Sequence, residues 1–210
     1  MSQKTDIKNY GQGKVFESPF LEALTKTSLP VHLVTYGGIV FVFVVLSLMK
    51  TGIAVYLQAV VLFSGLLFWT FFEYLMHRYL FHAAGENKFM RNLQYTLHGV
   101  HHEYPRDEER VFMPPLPGIL IISVLGAFFH LLSGQLAYPF LGGFVSGYII
   151  YSLMHYSMHH LKPSRLLKPL WRHHSLHHYK YPDKAFGVSS TLWDRLFGTM
   201  PAKKENTEVK

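Results

Sequence analysis

Cysteine is absent from this 210-residue chain. That excludes a disulfide framework, zinc–thiolate sites and cysteine nucleophiles. Charge is scarce as well. Only 16% of the residues are Asp, Glu, Lys or Arg, against about a quarter in an average soluble domain. The charges fall in separate blocks with long uncharged stretches between them, a pattern that suits lipid rather than a greasy soluble core. Repeats of fixed period and low-complexity segments are missing too. The first 30 residues carry Lys4, Lys8, Lys14 and Lys26 without a short apolar core and a small-residue cleavage site, so no secretory signal is expected.

What is present is apolar and aromatic: 49% hydrophobic residues, with 17 Phe and 13 Tyr. Residues 31–49, 53–72, 116–136 and 140–154 contain no Lys, Arg, Asp or Glu. A helix needs roughly 20 apolar residues to cross a bilayer core. The expectation is an all-α integral membrane protein with four transmembrane helices in two hairpins, at about 31–49, 53–76, 116–136 and 138–156. Short turns at Lys50–Gly52 and Gly134–Pro139 join each pair. A re-entrant third and fourth segment is the alternative. Gly142, Gly143 and Gly147 would allow a neighbouring helix to approach closely. Residues 1–29 read as a polar tail or interfacial segment, 30–200 as the main domain, and 201–210 as a second polar tail.

The net charge of +7 could be taken for nucleic-acid affinity. Its distribution gives another reading. Two hairpins place the N-terminal tail, the 77–113 block and residues 157–200 on one side. Of 20 Lys and Arg, only Lys50 then falls on the other. Cytoplasmic loops attract Lys and Arg, so both termini and the polar cap at 77–113 and 157–200 are expected in the cytoplasm, and no nucleic-acid partner is expected.

Fourteen histidines supply the chemistry. Twelve fall in four groups: His77/His82, His98/His101/His102, His155/His159/His160 and His173/His174/His177/His178. Every group lies at the end of an apolar run or in a polar block on the same side. Neutral imidazole is the common protein ligand for zinc, iron, copper and nickel. His98 and His102, His155 and His159, and His174 and His178 stand four apart, on one face of a helix. Two metals with about five imidazoles each would use such a set. His77 and His82 are five apart and diverge on a regular helix, so either the helix loosens there or the pair grips from two directions. His32 and His130 lie inside spans and read as structural. A transporter or metal-binding scaffold would carry its ligands near the membrane midplane, whereas these lie at one face.

The boxes His77-x4-His82, His98-x2-His101-His102, His155-x3-His159 and His174-x2-His177-His178 resemble those of the fatty acid hydroxylase/sterol desaturase superfamily. Three stretches are most similar to the fatty acid 2-hydroxylases: Glu73 to His82, Tyr104 to Pro115 and Phe186 to Thr199. The resemblance implies a cytosolic helical cap holding a dimetal site, with His77, His82, His98, His102 and His177 on one metal and His101, His155, His159, His174 and His178 on the other. Asp194, Glu73, His160 and His173 would stand behind the ligands, with Asp194 and Glu73 accepting the far N–H of a ligand ring. Iron is expected for activity and zinc as a possible bound species. The implied reaction is O2-dependent hydroxylation of a fatty acyl chain, free or in a sphingolipid, at C2. A carotene hydroxylase or sterol-type desaturase is the alternative. Fungal and animal 2-hydroxylases carry a cytochrome b5 domain before the membrane domain. The 29 residues before the first span here contain no histidine to ligate haem, so a separate donor, cytochrome b5-like or a ferredoxin, is implied.

Overall fold

The computed structural model describes residues 6–82 and 87–202; the expected C-terminal tail lies, from 203 on, outside the described residues. Among these residues all regular structure is helical, with no strand. Helix α1 (Pro19–Ala23) is short, and α2 (Leu29–Lys50) is the first long one. Pro30 sits in the first turn of α2, where a missing N–H costs no hydrogen bond. After a turn at Gly52, whose φ is +65°, the chain forms α3 (Val55–Leu75). Buried polar groups close this turn. Ser47 Oγ donates to Gln58 Oε1 at 2.7 Å, and Gln58 Nε2 donates to the Ile53 carbonyl at 2.9 Å.

Next come α4 (Lys88–Gln94), α5 (Val100–Glu103), α6 (Pro115–Ser133) and α7 (Ala137–His160), then α8 (Lys168–Tyr179) and α9 (Leu192–Leu196). Three helical stretches are long and apolar enough to cross a membrane: Leu29–Lys50, Val55–Phe81 and Glu108–His160. The third contains α6 and α7 with the Gly134–Leu136 turn between them. The outer faces are apolar: Val34, Phe41, Val60, Leu120, Val124 and Leu131 are all more than half exposed. Water would not tolerate so much exposed apolar surface; lipid would.

Helix α7 is the central element. It packs most extensively on α3 and next on α2, and glycine sets the first contact. A Cβ on Gly143 would collide with the Leu62 carbonyl, one on Gly65 with the Phe140 carbonyl, and one on Gly147 with the Trp69 side chain. Backbone therefore touches backbone, the close approach that small residues permit between helices in lipid. Gly142 meets only ordinary contacts, the nearest being Phe43 Cβ at 3.5 Å. Tyr36, Phe144, Val145 and Tyr148 form the core beside this crossing.

The N-terminal segment is not a loose tail. Arg110, buried to 6% exposure, donates to the Gly13 carbonyl, to Thr25 and to the Glu22 carboxylate. Gly13 N donates to Asp107 at 2.8 Å, and the Lys8 ammonium reaches Glu103 at 2.7 Å. Residues 8–27 are thus strapped across the 103–110 stretch, an arrangement that local polarity does not announce.

Candidate metal centre

The awkward pair in the sequence is resolved by the local helix. At Met76–Phe81 the backbone widens into a π turn, and His82 N donates to the His77 carbonyl at 3.2 Å. This i to i+5 bond stacks residues five apart on one side, so the His77 and His82 rings lie 5.0 Å apart. A second π turn at Tyr95–Gly99 carries His98. Single π turns recur at functional sites because they re-aim side chains.

Ten histidines converge in two groups. In each group, one ring nitrogen per residue lies within 4.8 Å of all the others. The first group is His77, His82, His98, His102 and His177; the second is His101, His155, His159, His174 and His178. The resemblance implied these same two sets. Within the first group, neighbouring Nε2 atoms stand 3.0–3.2 Å apart. In the second, His159 and His174 Nε2 are 2.9 Å apart. Two nitrogens bound side by side to one metal at the usual 2.0–2.1 Å would lie about 3 Å apart. The groups border each other, and the His102 ring stacks on that of His178 at 4.1 Å.

The electrostatics fit the same use. Burial pushes the imidazoles of His98, His101, His102, His174, His177 and His178 well below their ordinary pKa, and neighbouring rings push most of them further. His82 is pushed down to about 2, again chiefly by burial. Neutral rings offer lone pairs. Both ring nitrogens of His101, His155 and His178 are buried without a hydrogen-bond partner. Buried polar atoms are rarely left so, and a cation at each centre would satisfy them.

One loop aims two of the rings. His77 Nδ1 pairs with the Phe186 carbonyl at 2.5 Å and His177 Nδ1 with the Lys184 carbonyl at 2.7 Å. Each Nδ1 is therefore the N–H, and each Nε2 faces its group with a free lone pair. Between the two carbonyls, Ala185 adopts φ +58°, a left-handed conformation that costs a non-glycine residue roughly 1–2 kcal/mol. The loop is held from both sides. Asp194 accepts from Phe186 N, Gly187 N, Thr199 Oγ1 and His173 Nε2 at 2.6–3.0 Å. Glu73 accepts from Val188 N, Ser189 N and the Ser189 hydroxyl.

Below the histidines lies an apolar cavity of about 230 Å³. His77, His98, His101 and His155 are among its lining residues, together with apolar side chains such as Tyr36, Ile122, Phe144 and Val145. Leu24 and Thr25 of the N-terminal strap form part of its wall.

The model of the family described as fatty acid hydroxylase matches residues 62–199. This chain belongs to the fatty acid hydroxylase family. It is 35% identical over 193 residues to the dihydroceramide fatty acyl 2-hydroxylase FAH2 of Arabidopsis thaliana, covering 91% of this chain and 81% of that one. It is 36% identical over 199 residues to the ceramide very long chain fatty acid hydroxylase SCS7 of Saccharomyces cerevisiae, covering 91% of this chain and 51% of that protein. The solved structure described as full-length scs7p, with only its hydroxylase domain visible, superimposes with a TM-score of 0.86 at 30% identity, covering 95% of this chain and 76% of that one.

In this hydroxylase, the residues expected behind the ligands act differently from the sequence reading. Neither Asp194 nor Glu73 touches one of the ten clustered rings. Both grip the 186–189 loop, and the groups that do hold clustered rings are the backbone carbonyls of Lys184 and Phe186. Backbone groups leave no residue signature, which is why the sequence reading missed them. Burial pushes the Asp194 carboxyl up, but hydrogen bonds from His173, Thr199 and Gly187 outweigh it and hold the carboxyl below the usual carboxylate range. His173 is buried against Asp194. His160 stacks on Tyr156 at 4.4 Å and is in neither group. His32 is fully buried against Phe112, Tyr36 and Tyr148, and His130 packs on Tyr138.

Proposed function

We propose that this chain is a membrane hydroxylase that uses O2 to insert oxygen into a fatty acyl chain at C2, with the acyl group free or in a sphingolipid. The observation that carries this reading is the pair of five-histidine groups, members of both of which line an apolar cavity. The balance is R–H + O2 + 2 e⁻ + 2 H⁺ → R–OH + H2O, and a separate carrier, cytochrome b5-like or a ferredoxin, supplies the electrons. The relatives, a dihydroceramide fatty acyl 2-hydroxylase among them, support 2-hydroxylation over the carotene hydroxylase and sterol desaturase alternatives.

The ten histidines would hold two metals, one per group. Redox-active metals there, iron in the working enzyme, would supply the O2 chemistry that side chains lack. Zinc has no redox chemistry but binds nitrogen ligands more tightly than Fe(II), so it could replace iron in purified protein. The chain's own part is positioning. The Lys184 and Phe186 carbonyls fix the tautomers of His177 and His77; the π turn that follows α3 carries His77 of the first group, and α7, closely packed on α3, carries His155 and His159 of the second. The cavity walls bury the acyl chain and exclude water, with Phe144 and Val145 against its methylenes.

The membrane arrangement belongs to the same proposal: two hairpins cross four times over about 31–49, 53–76, 116–136 and 138–156. The cap at 77–113 and 157–200 and both termini face the cytoplasm. The apolar exposed faces and the confinement of all but one Lys or Arg to one side support it. The test is lipid profiling of a host with and without the chain. Acyl chains heavier by one oxygen at C2 are expected, together with about two metals per purified chain. They should disappear with His98→Ala or His177→Ala while the protein stays in the membrane. No oxygenated product from wild type, or no bound metal, would overturn the reading.

A further inference from the structure

Two segments bring the same box, His-x-x-His-His, to the centre: 98–102 and 174–178. Their rings meet. His102 and His177 Nε2 are 3.2 Å apart, and the His102 ring stacks on that of His178. Apart from these rings, no hydrogen bond joins residues 95–104 to α8 among the described residues. Neutral rings facing one another attract only weakly, so the register of the two segments before a metal arrives has to come from elsewhere.

The N-terminal strap touches the outer end of both. A tyrosine follows each box, Tyr104 after the first and Tyr179 after the second. Lys8 Nζ donates to Glu103 at 2.7 Å and to the Tyr104 hydroxyl at 3.0 Å, while Lys8 N donates to the Glu103 carbonyl at 2.7 Å. The other Glu103 oxygen accepts at 2.7 Å from the hydroxyl of Tyr95, where the second π turn begins. Glu103 therefore links both ends of the first segment to the strap. The next strap residue, Asn9, accepts through Oδ1 from the Tyr179 hydroxyl at 3.1 Å. Buried Gly13 packs directly on Val100, which stands between His98 and His101; a Cβ there would fall 2.4 Å from Val100 Cγ2. Asp107 and Arg110 hold the Gly13 backbone in that place.

We propose that residues 8–13 are a brace of the metal centre, with Lys8, Asn9 and Gly13 as positioning residues that hold the two boxes at the separation their metals require. This rests on the two-metal reading above. The brace puts the ordering of the two segments into folding rather than into metal binding, and such preorganisation raises affinity. It touches no ligand nitrogen. The Lys8 and Asn9 contacts are exposed, and exposed ion pairs contribute little to stability. Their loss therefore shows in metal retention before it shows in the fold.

The test uses the full chain in detergent micelles. Co(II) retained against graded chelator is measured beside thermal unfolding of the metal-free protein, and neither readout needs turnover. Lys8→Ala/Asn9→Ala should weaken Co(II) retention about 3- to 10-fold, the range for one or two modest hydrogen bonds, while the metal-free melting temperature does not move. Lys8→Arg, which keeps the charge and the donors, should retain metal as wild type does. Gly13→Ala should weaken retention about 10-fold or more, because its Cβ meets Val100. Gly13→Ala/Val100→Ala should regain part of that loss, a non-additivity expected only of residues in contact. Gln12→Ala, at the exposed neighbouring position, should match wild type. Wild-type retention in both Lys8→Ala/Asn9→Ala and Gly13→Ala overturns the proposal. So does a metal-free melting temperature that falls in step with retention in Lys8→Ala/Asn9→Ala, which marks general support of the fold. A Gly13→Ala/Val100→Ala protein no better than Gly13→Ala overturns the contact on which the brace depends. If wild type binds no Co(II) at all, the two-metal reading fails first and the brace with it.

Discussion

Replacing Asp194 by Ala should loosen two of the clustered histidine rings, neither of which it hydrogen-bonds. The carboxylate is fully buried and accepts four hydrogen bonds, two of them from the backbone of the loop whose carbonyls hold His77 and His177. Hydrogen bonds to a charged group contribute about 1.5–3 kcal/mol each, not additively, and each buried donor left unpaired costs about 1–3 kcal/mol. A local penalty of about 4 kcal/mol follows, falling mainly on residues 184–187. Loss of a group that orients ligands typically weakens metal retention 10–100-fold, or about 1.4–2.8 kcal/mol. The assay is metal content after dialysis against graded chelator, with thermal unfolding in detergent followed in parallel. Asp194→Asn should fall between, because one acceptor oxygen remains. Asp183→Asn, at an exposed position in the same stretch, should match wild type. A wild-type chelator midpoint in Asp194→Ala would refute the idea that this loop sets the rings.

Three further outcomes are expected. The histidines held neutral by burial bind protons in the unfolded chain at about pH 6.5 but not in the folded one, so below that pH the unfolded state takes up more protons. Stability of the metal-free protein should therefore fall as pH drops below about 6.5, each such residue contributing up to about 1.4 kcal/mol per pH unit. A flat melting temperature between pH 7 and 5 would contradict it. Gly143→Leu should drive α3 and α7 apart, because its first added carbon meets the Leu62 carbonyl; overpacking costs about 1–3 kcal/mol or more, read as lost folded yield in detergent. Gly37→Ala meets open space and should leave the yield unchanged. Arg110→Met should release the strap of residues 8–27, visible as much faster limited proteolysis there, and it should slow turnover of long acyl chains because Leu24 and Thr25 wall the cavity. Equal proteolysis of variant and wild type would show that other contacts hold the strap.

The sequence carried the histidine groups and the apolar runs because both depend on residue type at short spacing. Four-residue intervals place rings on one face whatever the tertiary structure, and uncharged runs report burial in lipid directly. The five-residue interval at His77 and His82 marked a departure from regular helix without choosing between its two explanations. That choice depends on which backbone hydrogen bond His82 N makes, and the answer is the His77 carbonyl. The strap was hidden for a different reason. Its partner Arg110 lies 97 positions from Gly13, and a polar segment tied down by one buried guanidinium has the same composition as a free tail.

The 184–189 loop shows why the carboxylates were placed one step too close to the metals. A buried Asp near a histidine box invites a direct carboxylate–imidazole contact. Here the imidazole that Asp194 meets is that of His173, which is in neither five-histidine group; Asp194 and Glu73 also accept from backbone N–H groups at 186–189, and the carbonyls of 184 and 186 carry the effect to His177 and His77. Backbone acceptors cannot be substituted singly, so the rings' orientation survives changes of side chain in the loop as long as its path is kept. The path itself is narrow. Ala185 must remain left-handed, and a Cβ at Gly187 would strike the Ser190 carbonyl and crowd the Asp194 carboxylate. Gly187→Ala should therefore reproduce the metal loss of Asp194→Ala although it removes no ligand, hydrogen-bonding side chain or charge. Normal metal retention in that variant would mean the loop has more freedom than its four anchors allow.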